Sequence, residues 1–348
     1  MTPYIIMILL SSLGLGTALT FMTSHWLLAW MGLEINTLAI LPLMAQHHHP
    51  RAVEATTKYF LAQAAAAATI LFASTINAWT TGEWNIYCLS HPTATTLITM
   101  ALALKVGLAP MHFWMPPVMQ GLDLTTGLIM ATWQKLAPFA LIIQMAPFTQ
   151  PQLLMTLGLL SVIVGGWGGL NQTQLRKILA YSSIAHLGWM ITIVQLKPQL
   201  TILALITYII MTSATFLTFK LISTTKINSL AMNWTKAPTI TATAALALLS
   251  LGGLPPLTGF MPKWLIMQEL TTQELPLMAT IMALTALLSL YFYLRLCYSM
   301  TLTIAPNTNN TAAPWRLQNM QNTALLATSM ISTLMLLPLT PLAQALIN

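Results

Sequence analysis

The chain has 348 residues, of which 56% are hydrophobic and 5% charged, against roughly a quarter charged in ordinary soluble domains. Thirteen Lys or Arg and six Asp or Glu cannot cover a folded surface of this size in water, which excludes a soluble protein and leaves an integral membrane protein. The net charge of +7 contains no basic run with interleaved aromatics, which excludes nucleic acid as a partner.

A spanning helix needs about 20 mostly apolar residues. Eleven segments qualify, at roughly 3–22, 25–45, 54–78, 93–118, 124–146, 151–170, 174–196, 199–222, 238–270, 276–301 and 324–345. They are apolar all round, unlike helices of a soluble bundle, and the dyad alternation of a membrane barrel is missing. The predicted class is all-α and polytopic. Met1 to Ser12 is apolar, and no basic residue precedes Arg51. The N-terminus therefore reads as the first span, not as a transit peptide or secretory signal. His49-Pro50, Ala146-Pro147 and Lys197-Pro198 carry helix-stop chemistry.

An odd count puts the termini on opposite faces. On the N-terminal face fall Arg51, Lys58, Arg176, Lys177, Lys220, Lys226, Lys236, Arg295 and Arg316; the other face receives Lys197. That asymmetry makes the N-terminal face the cytoplasm, or the matrix in a mitochondrion.

Leu108-Ala109-Pro110-Met111-His112-Phe113-Trp114-Met115-Pro116 can be laid over Leu254-Pro255-Pro256-Leu257-Thr258-Gly259-Phe260-Met261-Pro262, with Leu, Pro, Met and Pro coinciding 146 residues apart. These runs fall in the fourth and ninth spans. The chain thus reads as one transmembrane domain over residues 1–348. Residues 3–146 form a first five-helix repeat, 151–301 an inverted second and 324–345 a final helix, each repeat having a broken fourth helix. Proline removes a donor and displaces a carbonyl. The freed backbone is tolerable only against protein or water, and such paired breaks point to a transporter-like site. The bland alternative is a simple kink.

Lys105, Lys135 and Lys263 remain inside the spans, about 18 Å from Thr93, 17 Å from Leu124 and 15 Å from Gln273 at 1.5 Å per residue. Glu34 joins them, roughly 14 Å beyond His25. Each central charge costs about 2.5–3.5 kcal/mol. The alternatives are snorkelling for the lysines and a protonated, helix-bonded carboxyl for Glu34. Burial disfavours a charged ammonium and a nearby carboxylate favours it, so a lysine whose partner moves can load and release a proton. His112 in the first break and His186 in the seventh span are candidate relays or plain hydrogen-bonded histidines.

Weaker signals accompany these. His47-His48-His49 invites a metal, but adjacent loop residues rarely converge on one ion. Gly165-Gly166-Trp167-Gly168-Gly169 has GxxxG spacing and reads as close helix packing. Cys88 and Cys297 form no dithiol motif, and no residue set suits haem or an iron–sulfur cluster. Electrons, if any flow, travel elsewhere.

Several stretches carry a resemblance: Trp30-Met31-Gly32-Leu33-Glu34-Ile35-Asn36, His49-Pro50-Arg51-Ala52-Val53-Glu54-Ala55, Leu170-Asn171-Gln172-Thr173-Gln174-Leu175-Arg176-Lys177 and Gly253-Leu254-Pro255-Pro256-Leu257-Thr258-Gly259-Phe260 with Pro262-Lys263-Trp264. Together they resemble the chain-2 family of antiporter-like membrane-arm subunits of mitochondrial NADH:ubiquinone oxidoreductase, respiratory complex I. The resemblance covers nearly the whole chain and weakens from about Thr303.

The resemblance implies a multi-pass protein of the mitochondrial inner membrane, N-terminus in the matrix and C-terminus in the intermembrane space. It implies a proton-translocating subunit of a hetero-oligomer, a translocase that binds no cofactor or metal itself. NADH, flavin, iron–sulfur clusters and ubiquinone are expected in other subunits. Its partners are the other membrane-arm subunits and the bilayer, with cardiolipin a candidate lipid. The family's glutamate and three lysines map onto Glu34, Lys105, Lys135 and Lys263. Pro117 departs from an acidic residue common in the family. The rival readings are a stand-alone cation/proton antiporter and a structural spacer.

Overall fold

The computed structural model describes residues 2–46, 49–235, 237–302 and 323–347. His47, His48, Lys236, Arg316 and the weakly distinctive stretch from Thr303 to Asn322 lie outside the described residues. Among those described, the secondary structure is helical, with two isolated bridges and no strand. The chain forms two compact units, Met1–Ser161 and Val162–Asn348. Their boundary falls inside a helix.

Unit 1 contains α1 (Pro3–Met22), α2 (Trp26–Met44), α3 (Pro50–Thr81), α4 (Pro92–Val106), α5 (Met115–Gly121), α6 (Leu124–Ala131), α7 (Trp133–Met145) and most of α8 (Pro151–Gly169). Unit 2 continues through α9 (Leu175–Ile193), α10 (Pro198–Ile222), the short α11 (Ile227–Ala231), α12 (Pro238–Gly252), α13 (Phe260–Thr272), α14 (Pro276–Thr301), α15 (Ala324–Met335) and α16 (Thr340–Ile347). Helix occupies each of the eleven predicted segments. Among the described residues, seven helical stretches are long and apolar enough to cross a membrane, while α4, α12 and α15 are shorter apolar helices.

Proline explains many of the starts. The helices α1, α3, α4, α8, α10, α12 and α14 all begin on Pro, the residue whose missing N–H costs nothing at the first helical position. This corrects the reading of His49-Pro50: the pair opens α3, with His49 Nδ1 accepting the Arg51 amide at 3.2 Å. The helix accordingly runs from Pro50 to Thr81, wider than the predicted 54–78. Threonine is compatible with apolar spans because its hydroxyl bonds back to the helix, as Thr20 Oγ1 does to Thr17 O at 2.8 Å and Thr218 Oγ1 to Thr215 O at 2.8 Å. A hydroxyl bonded in this way is not left bare to lipid.

Two interruptions were not predicted. Thr132 divides the fifth segment into α6 and α7, and a 3-10 turn at Leu337–Leu339 divides the last segment into α15 and α16.

Loops are pinned alike in the two units. In unit 1 the Trp26 amide donates to Trp84 O at 3.0 Å and the Ile86 amide to Ser24 O at 2.8 Å. In unit 2 the Leu175 amide donates to Thr225 O at 3.0 Å and the Ile227 amide to Thr173 O at 3.2 Å. Each ladder joins the loop before one helix to the loop two crossings later. Arg295 of α14 also clamps the second site, Nη2 donating to Gln172 O at 2.5 Å and Nη1 to Leu170 O.

The glycine run of α8 is a packing surface. A Cβ on Gly165 would stand 2.6 Å from the Ala185 nitrogen, and one on Gly169 would stand 2.7 Å from the Phe292 ring. Only hydrogen lets α8 approach α9 and α14 this closely.

Candidate functional site

The break in unit 1 starts at Gly107, which caps α4 in the left-handed region (φ 87°). From there residues 107–114 run without regular helix to α5. The carbonyls freed at the end of α4 find side chains: Trp114 Nε1 donates to Leu104 O at 3.0 Å and Gln63 Nε2 to Lys105 O at 3.3 Å. The Ala109 amide donates to Ser161 Oγ at 3.0 Å. The broken backbone is thus satisfied inside protein, as burial in a membrane demands.

Lys105 in the last turn of α4 and Lys135 near the start of α7 line the same cavity, of about 20 Å³. Tyr59 and Gln63 of α3 and Gln134 of α7 share its wall. Both lysines are buried, at 5% and 4% exposure, and Lys263 at 8%. Snorkelling to an interface is therefore not what these side chains do. Lys105 Nζ meets no hydrogen-bond partner among the described residues.

Glu34 does not line this cavity, although Leu33, Asn36 and Thr37 of its helix do. Its carboxylate accepts from Thr37 Oγ1 at 3.2 Å. His112 is buried in the break but lies outside the cavity lining, its ring 4.4 Å from that of Phe113.

Unit 2 repeats the device with different side chains. Gly253 ends α12 in the left-handed region (φ 83°), 146 residues after Gly107. Lys263, on the second half of the broken helix, reaches back and donates from Nζ to Gly252 O at 2.8 Å and to Leu251 O at 3.5 Å. An ammonium on the last carbonyls of a helix is stabilised by the negative end of its dipole. His186 Nε2 stands 3.2 Å from the same Leu251 O, and Nδ1 stands 2.7 Å from Ser182 O. Two acceptors flank one imidazole. A neutral ring donates to one of them, and donation to both requires a second proton. His186 and Lys263 also line one cavity of about 20 Å³ with Thr207 and Gly259.

Two residues outside the sequence-based candidates belong with these. Glu269, on α13 beyond Lys263, is buried and paired with Lys197 at 2.5 Å. An acidic residue inside the segment 238–270 was its available signal. Asn36 lines the Lys105 cavity with both side-chain polar atoms unpaired among the described residues. Its signal was weaker, a polar residue two positions after Glu34. Among the described residues no group of three His, Cys, Asp or Glu is placed to hold a metal.

Two units, each with a broken helix and a buried lysine, define an antiporter-like polytopic membrane protein. Residues 23–289 match the NADH:quinone oxidoreductase/Mrp antiporter transmembrane family, and residues 290–344 match the C-terminus of NADH dehydrogenase subunit 2. The chain belongs to this family. It is 73% identical to NADH-ubiquinone oxidoreductase chain 2 of Carassius auratus over 341 residues, 98% of each chain. Its identity to the Squalus acanthias protein of that name is 64%, again over 98% of both. Among solved structures it resembles a chain of respiratory complex I from Thermus thermophilus with bound aureothin, at 30% identity and a TM-score of 0.86, covering 98% of this chain and 80% of that one. A chain of the Mrp complex from Dietzia sp. shares the fold at 16% identity, with a TM-score of 0.82 over 97% of this chain and 75% of the other.

Proposed function

We infer that the chain is a proton-translocating, antiporter-like subunit of respiratory complex I. It carries protons from the mitochondrial matrix to the intermembrane space, driven by electron transfer from NADH to ubiquinone in other subunits. NADH, flavin, iron–sulfur clusters and ubiquinone are held by those subunits, and this chain carries no redox centre. The observation that carries the reading is the cavity that Lys105 and Lys135 share beside a broken helix. An ion in the bilayer centre is expensive unless function requires it.

Lys105 and Lys135 exchange a proton across their cavity. Glu34 tunes Lys105 through space. Lys263 and His186 form a second station in unit 2, serving an exit or the next subunit; His112 is an accessory relay in the first break. The chain crosses the inner membrane eleven times as one transmembrane domain built from two related, inverted five-helix repeats and a final helix. The pairs of glycine caps and of loop ladders support that repeat. The N-terminus faces the matrix, the C-terminus faces the intermembrane space, and the lipid-facing flank accepts cardiolipin. The Mrp resemblance concerns the fold alone and does not favour a stand-alone antiporter.

Lys105→Met in the assembled complex tests the reading. Methionine keeps the length and removes a buried charge, so assembly should hold, while proton-coupled turnover should fall. Normal pumping stoichiometry in the assembled variant would overturn the role. Cleavage of an N-terminal tag by protease added outside intact mitoplasts would overturn the orientation.

A further inference from the structure

Asn36 is 2% exposed, and neither its Nδ2 nor its Oδ1 reaches a hydrogen-bond partner among the described residues. An unpaired carboxamide is costly inside a packed protein, so a purely structural sequence would place an apolar side chain there. The side chain is closely packed. Its Oδ1 lies against α1 at Gly16, where a Cβ would stand 2.4 Å away. Its own carbonyl accepts from Gln134 Nε2 at 3.1 Å, which fixes α2 to α7 one residue from Lys135. Asn36, Lys105 and Lys135 line one cavity, and Lys105 Nζ is likewise unpaired.

We propose that Asn36 is a positioning residue whose carboxamide holds a water molecule in this cavity, aligning the proton step between Lys105 and Lys135. The proposal rests on the reading of those lysines as the proton-carrying pair. The cavity of about 20 Å³ exceeds the roughly 10–15 Å³ that one water needs, and its polar lining supplies the two to four partners a buried water requires. Carboxamides donate and accept without titrating, so Asn36 orients the water and does not carry the proton. The water takes a proton from the Lys105 ammonium as it gives one to the Lys135 amine. One proton moves, and the water is regenerated.

The test uses the assembled complex in sealed vesicles, comparing Asn36→Leu, Asn36→Ala and Asn36→Ser with Lys105→Met. NADH oxidation by an artificial acceptor serves as the control for intact redox subunits. Removing the carboxamide in the Leu and Ala variants should lower proton pumping by up to about a hundredfold, as misplacement of a reacting group by about 1 Å does, with the control rate unchanged. Asn36→Ser keeps a hydroxyl and should recover part of the loss. Wild-type pumping in assembled Asn36→Leu, or in Asn36→Ala if bulk prevents Leu from assembling, overturns the role of Asn36 provided Lys105→Met is impaired. Wild-type pumping in Lys105→Met as well would instead overturn the reading of the lysine pair.

Discussion

The two broken helices share a backbone device and differ in where the charge sits. Each first half ends on a left-handed glycine, Gly107 at φ 87° and Gly253 at φ 83°. In unit 1 the lysine precedes the break, and neutral side chains, Trp114 and Gln63, occupy the freed carbonyls. Lys105 Nζ is left to face a polar cavity. In unit 2 the lysine follows the break and occupies the freed carbonyls itself. At the 146-residue offset Lys105 corresponds to Leu251 and Lys263 to Pro117. The unusual Pro117 therefore stands where unit 2 has its lysine. Helix breakage is thus separable from the setting of the lysine: the break frees backbone carbonyls in both units, and the position of the lysine decides whether its ammonium is anchored on them, as in unit 2, or faces a cavity, as in unit 1.

That contrast can be broken most sharply at the lysines. Lys105→Met should reduce proton-coupled turnover by about a hundredfold, the lower range for loss of a positioned acid–base group, with little change in the thermal stability of the assembled complex. Lys263→Met should also impair pumping. It additionally deprives Gly252 O of its lysine donor, while Leu251 O keeps His186 Nε2 at 3.2 Å, and an unpaired buried acceptor costs about 1–3 kcal/mol. Thermal unfolding of the two variants should separate them in that direction; equal stability would erase the distinction between an anchored and a responsive lysine.

A double-mutant cycle sharpens it next. Glu34→Gln and Lys105→Met should be strongly non-additive in pumping, with a coupling of about 0.5–3 kcal/mol as for residues acting as one unit. Glu34→Gln and Lys263→Met should give losses that multiply. A cycle in which Glu34 and Lys105 also simply multiply would remove Glu34 from the mechanism.

The glycine caps give a smaller effect. A non-glycine residue in the left-handed region costs roughly 1–2 kcal/mol, so Gly107→Ala and Gly253→Ala should destabilise similarly. A Cβ on Gly253 would stand 3.0 Å from Lys263 Nζ, whereas one on Gly107 would meet the Met115 sulfur at 3.2 Å. Pumping by the assembled variants should therefore suffer more in Gly253→Ala. The smallest change is Trp114→Phe, which removes the donor to Leu104 O and should cost about 1 kcal/mol in a stability assay.

Much of this arrangement was legible in the residues because a bilayer imposes one-dimensional rules. Apolar run length sets the helices, as in α14, whose bounds Pro276–Thr301 coincide with the predicted segment. Proline and glycine mark where the backbone must turn, and a charge within an apolar run must have a use. Those rules singled out Lys105, Lys135 and Lys263 without coordinates. They also put a stop at His49-Pro50 that the structure uses as a start, since proline's missing donor suits both a helix end and a first turn.

Partnership was decided only by the tertiary structure, because it depends on where side chains from distant helices end. Lys105 and Lys135 line one cavity, whereas Glu34 and His112 are not among the residues that line it. Sequence spacing placed Lys263 in the second broken helix, but its ammonium on the carbonyls of Gly252 and Leu251 follows from how the two helix halves fold back. Asn36 and Glu269 acquired meaning the same way: one polar side chain buried without a partner among the described residues and one carboxylate closed on Lys197. Hydropathy is a property of each residue alone and survives in the linear chain. Hydrogen-bond satisfaction is a property of pairs, and it exists only once the helices have packed.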